Sequence, residues 1–101
     1  MKHLQQIENS PERFRLDLLK ELRSQIAKDF QIPLTSVPKS QMLNWLEAWL
    51  DKYMQDLDLD QILYRVDLEE KNYENTELLA QAIIEREAQK VIFRSQYSGK
   101  L

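Results

Sequence analysis

Residues 76–97, TELLAQAIIEREAQKVIFRSQY, decide the fold class. The stretch holds no Pro or Gly and is dense in Ala, Leu, Glu, Gln, Arg and Lys, residues that lose little on entering a helix. Turned at about 100° per residue, its apolar side chains fall into two stripes. Leu78, Leu79, Ala82, Ile83, Phe93 and Tyr97 form one, and Ala80, Ile84, Ala88, Val91 and Ile92 form the other. A helix lying on a surface needs only one apolar stripe, so two predict burial on two sides. Either this helix is central in its own domain, or it shares a stripe with a partner.

Immediately upstream, Asn75 or Thr76 is placed to cap that helix. The acidic stretch DLEEKNYE, residues 67–74, lacks periodicity and reads as a loop tethered by Leu68 and Tyr73. Before it, Asp58 with Gln61 makes an acid-x-x-Gln cap for a short helix over 59–66, whose Ile62, Leu63 and Val66 would pack. A longer helix over 40–56, started by Ser40, carries Met42, Leu43, Trp45, Leu46, Trp49, Leu50, Tyr53 and Met54 over half its circumference. The segment QIPLTSVPK, 31–39, breaks the helical period at Pro33 and Pro38 and reads as an ordered connector. Ser10 and Pro11 suit the start of a first helix over 10–30, with Phe14, Leu18, Leu19, Leu22, Ile26 and Phe30 on one face. Residues 1–9 read as an arm whose Leu4 and Ile7 can lie on the body, and 98–101 as a tail.

Four helices without a strand ladder predict an all-α, single-domain bundle spanning 10–97, with an irregular or orthogonal arrangement as open as a regular one. The length of 101 residues suits one domain with a modest core. The 43% hydrophobic and 31% charged composition is that of a polar globular chain. With no apolar run approaching about 18 residues, no transmembrane helix is expected. MKHLQQIENS is too polar for the core of a signal peptide, and a cytoplasmic setting is the expectation.

Composition also excludes several chemistries. The absence of Cys removes disulfides, thiolate metal sites and Cys nucleophiles. The single Gly, Gly99, leaves no Gly-rich phosphate loop. The one His, His3, falls in the arm and is expected to be solvated, so no catalytic triad can be assembled. Asp56, Asp58 and Asp60 resemble the start of a calcium loop, but the turn position that needs Gly holds Gln61 or Leu63, depending on register. No metal, cofactor or catalytic residue is therefore assigned, and a non-enzymatic protein is expected.

Two features remain as candidate sites. Trp45 and Trp49 lie one turn apart at the margin of their helix's apolar half, where they serve core packing or anchor a partner. Arg86, Lys90 and Arg94 form a basic row at a spacing of four, which is repulsive unless compensated. Candidate partners for Arg86 are Asp67, Glu69, Glu70 and Glu74, in an ion pair pinning the acidic loop. Residues 39–77 carry four Lys/Arg against ten Asp/Glu, and residues 78–101 four against two, so the two segments can neutralise each other. The expected function is an interaction or structural module, homodimeric or bound to another protein. Its interface would comprise Trp45, Trp49, Ala80, Ile84, Ala88, Val91 and Ile92. The alternative is a nucleic-acid or anionic-ligand binder using the basic row, disfavoured by the net charge of −3.

Overall fold

The computed structural model describes residues 1–53, 55, 58–68 and 73–98. Among these residues there are five helices: α1 (Lys2–Glu8), α2 (Glu12–Phe30), α3 (Met42–Tyr53), α4 (Leu59–Val66) and α5 (Thr76–Tyr97). No strand occurs among the described residues. The all-α class stands, with one helix more than periodicity gave. The Cα radius of gyration of 13.2 Å matches the value of about 13 Å for a packed 100-residue domain.

The extra helix is α1, which the sequence reading took for an arm. A seven-residue helix cannot hold itself together in water, and α1 has no side-chain cap of its own. It forms because Leu4 and Ile7 are buried on the body and α5 supplies the missing cap, as described below. Ser10, expected to cap α2, turns back and donates its hydroxyl to the Gln6 carbonyl at 2.7 Å. Pro11 takes the capping position, and α2 begins at Glu12.

Two helix ends show how a chain with one Gly turns corners. Gln31 just after α2 and Asp67 just after α4 adopt left-handed φ values of 56° and 66°. The following amides then fold back: Ile32 N–H donates to the Ala27 carbonyl, and Leu68 N–H to that of Leu63, both at 3.0 Å. This is the αL termination that Gly usually provides, with the apolar residue after the turn packed on the core. The connector between α2 and α3 contains a single 3₁₀ turn, Leu34–Ser36, and is pinned by the fully buried Val37. Arg23 of α2 donates its Nε–H to the Val37 carbonyl. Gln41 also has a left-handed φ, 54°, and α3 starts after it at Met42, two residues later than the expected Ser40 cap.

The remaining caps fall where the residues predict. Asp58 accepts from Gln61 N–H at 3.2 Å, and Asn75 accepts from Leu78 N–H at 2.9 Å. Thr76 donates to the Asp51 carboxylate, joining the start of α5 to α3. Met54, Asp56, residues 69–72 of the expected acidic loop (Glu69 and Glu70 among them) and residues 99–101 of the tail lie outside the described residues.

Helix α5 packs against α1, α2, α3 and α4. Ala80, Ile84, Ala88 and Val91 are fully buried and Ile92 is 1% exposed. These five side chains are therefore core, and the self-interface expected from them is corrected. Other helices of the same chain cover the second stripe. What α5 leaves exposed belongs to the first stripe, at its ends: Leu78, Phe93 and Tyr97.

Candidate functional site

Two polar seams run along α5, and between them they hold the titratable groups most altered by the fold. The first joins α5 to α1. Glu85 points its carboxylate at the start of α1, where Oε1 accepts from His3 N–H at 2.6 Å and Oε2 from Leu4 N–H at 3.1 Å. Free amides at a helix N-terminus attract negative charge, so Glu85 acts as a cap supplied from another helix. The His3 ring adds Nδ1 at 2.6 Å from Glu85 Oε1. Facing a carboxylate, Nδ1 carries the proton and donates. Burial works to raise the Glu85 pKa, but the two backbone donors and the His3 ring outweigh it and hold it below the usual glutamate value. His3 is thus half-buried and engaged, which corrects its reading as a solvated arm residue.

The second seam joins α5 to α2 and α4 and contains the basic row. Arg86 donates Nη2–H to the Asp67 carboxylate at 2.7 Å, Nε–H to the Asp67 carbonyl at 3.2 Å and Nη1–H to Gln89 at 3.0 Å. Asp67 was among the expected partners, and the ion pair pins the chain just past α4. Lys90 donates to the Asp29 carboxylate of α2 and to the Arg65 carbonyl in the last turn of α4, both at 3.0 Å. Arg94 donates to the Gln25 amide oxygen, and Gln25 Nε2–H in turn donates to Asp29 at 2.8 Å. The row is compensated from inside the fold. Of its three cations only Arg94 is exposed.

At the centre of this seam lies Glu87, which is fully buried. Lys90 Nζ is 3.8 Å from its Oε1, too far for a hydrogen bond. As a carboxylate, Glu87 has no donor on either oxygen among the described residues. As an acid, one of its oxygens becomes an O–H that donates to Asp29, which leaves a single oxygen without a donor. Burial is the main cause that pushes the Glu87 pKa up, to about 9; the hydrogen bond and charge of Asp29 add to it, against the pull of Lys90 and Arg86. Asp29 moves the other way. Burial would raise it, but hydrogen bonds from Glu87, Gln25 and Lys90, with the Lys90 charge, hold it below its usual value.

Asp29 and Glu87 are thus acids withdrawn from solvent. Their positions carried a signal. Glu87 falls seven residues after Ala80 and four before Val91, and Asp29 falls seven after Leu22, so both stand on apolar stripes. The pair is closed to solvent: the Asp29 side chain is 9% exposed and that of Glu87 0%. A nearby open groove of about 700 Å³ between α2 and α5 includes Gln25 and Arg94 in its wall, but not Asp29, Glu87 or Lys90. Its wall sets Lys20, Lys28 and Arg94 against Asp17 and Glu21, a mixed surface with three cations to two acids.

Trp45 and Trp49 sit at the margin of α3, half-buried against the core. Trp49 stands 5.1 Å from Phe30 and 5.2 Å from Tyr53 between ring centroids, and 6.3 Å from Trp45. Trp49 thus joins α3 to α2 through Phe30, and Trp45 stacks beside it on α3. Among the described residues, no helix is long and apolar enough to cross a membrane. The chain matches no family model, no curated protein and no solved structure.

Proposed function

We propose that the chain is a non-enzymatic interaction module that self-associates through the exposed edge of its C-terminal helix. The observation that carries this reading is the pair Phe93 and Tyr97, one helical turn apart and 47% and 93% exposed. On the same helix, five residues of the second stripe and two of the first, Leu79 and Ile83, are buried, so this pair is apolar surface left over after the domain has closed. His3 meets Phe93 edge-on at 6.4 Å and holds one flank of the patch in place. A second copy presenting the same two rings would form a two-fold, self-complementary contact. The seams support the non-enzymatic part: Asp29, Glu87 and Lys90 are enclosed, and His3 is engaged with Glu85.

Light scattering coupled to size exclusion, over a wide concentration range, tests this. The expected result is a species of twice 12.1 kDa that Phe93→Ser with Tyr97→Ser converts to monomer without loss of helicity. A monomer at every concentration would overturn the self-association.

A further inference from the structure

We propose that Asp29 and Glu87 share one proton and form a proton-operated latch on the α2–α4–α5 seam, closed while Glu87 is a neutral acid and released when it ionises. Charge counting supports this without any titration value. The groups facing Glu87 are Asp29 from α2 and Arg86 and Lys90 from α5 itself. From α4 and its end come the Arg65 carbonyl, on Lys90, and Asp67, on Arg86. Arg86 is already matched by Asp67, and Lys90 by Asp29. Among the described residues, a second carboxylate would be enclosed with no cation of its own, Lys90 being engaged by Asp29, and no donor on either oxygen. Two carboxyl groups in one such site keep a proton between them.

Lys90 is the part that moves the outcome beyond the pair. Its ammonium ties α5 to α2 through Asp29 and to α4 through the Arg65 carbonyl. Ionised Glu87 competes with both for Lys90 and repels Asp29. The element with the least else to hold it is α4, which has eight residues, an apolar face of Ile62, Leu63 and Val66, and the Arg86 pair with an Asp67 that is 75% exposed. Release of the latch therefore loosens α4 first and uncovers that face together with Phe30. The device makes an apolar surface conditional on proton concentration, independently of the Phe93–Tyr97 edge.

The wild-type protein gives one test directly. In a ¹³C NMR titration of the glutamate side chains, one Glu is expected to change state above neutrality. If all titrate in the ordinary carboxylate range, the latch does not exist. In the second test, urea unfolding is followed from pH 5 to pH 9 for wild type and for Glu87→Gln, whose amide can still donate to Asp29. The folded wild type holds a proton that the unfolded chain has lost, so its unfolding constant rises by about tenfold per pH unit across this window. The variant is expected to be flat, and a variant with the wild-type slope would overturn the proposal. Amide exchange across the same window is expected to show α4 losing protection before α1 and α3. Simultaneous loss in all five helices would overturn the assignment to α4.

Discussion

Glu85 and Glu87 stand two residues apart on one helix and meet opposite fates. Glu85 faces α1, keeps some solvent and finds three N–H donors, so the fold stabilises its charge. Glu87 faces α2, has lost all solvent and finds a second acid, so the fold stabilises its proton. Intrinsic acidity is the same at both positions. The difference lies in what the neighbouring helix presents: an unpaired N-terminus in one case, a carboxylate with its ammonium already engaged in the other. A buried acid takes its state from the balance of donors and charges around it, and burial alone does not decide.

The comparison can be broken most forcefully at Lys90. Lys90→Met removes the cation that pairs with Asp29 and leaves that charge enclosed. Losing one partner of a buried pair costs several kcal/mol, and a loss of about 3 kcal/mol at pH 7 is expected from chemical denaturation. The loss should shrink in acid, where Asp29 takes up a proton. An unchanged midpoint would mean that the seam tolerates two carboxyl groups without the ammonium.

A smaller effect is expected on the other side. Glu85→Ala removes the cap of α1, for about 1 kcal/mol by the usual cost of a lost helix cap. The Glu85 pKa is lowered, so its contribution is present above the ordinary glutamate range and lost as pH falls through the lowered value. Variant and wild type should therefore converge in acid. Hydrogen exchange should show α1 losing protection while α4 keeps it, and equal loss in both would show that the two seams are one unit.

The smallest effect belongs to Arg86→Met. Its partner Asp67 is 75% exposed, and ion pairs open to water contribute less than about 1 kcal/mol. A loss well beyond that in thermal unfolding would mean that Arg86 acts on Glu87 more than on Asp67.

Periodicity found four of the five helices because each carries its own repeat of apolar residues and, for α4 and α5, its own cap at Asp58 or Asn75. The helix it missed, α1, carries no such signal. Its two apolar residues are too few to define a period, and its cap comes from a residue 81 positions away in sequence. The spacing of the basic row already demands compensation, and Asp67 stands among the acids of the neighbouring loop that can supply it. Lys90 and Arg94 were readable only as cations, because Asp29 and Gln25 lie in a different helix whose rotation had to be known.

The sequence by itself determined that α5 is apolar on two sides, that the domain is helical, and that Arg86, Lys90 and Arg94 repel each other unless answered. These follow from local spacing, which the 3.6-residue turn converts directly into geometry. Only the tertiary structure decided that α1, α2, α3 and α4 all cover α5, so that Ala80, Ile84, Ala88, Val91 and Ile92 became core. It alone set Glu85 against a helix terminus and Glu87 against an acid. Which charge meets which depends on how helices distant in sequence are oriented, and that is fixed by packing the whole core at once.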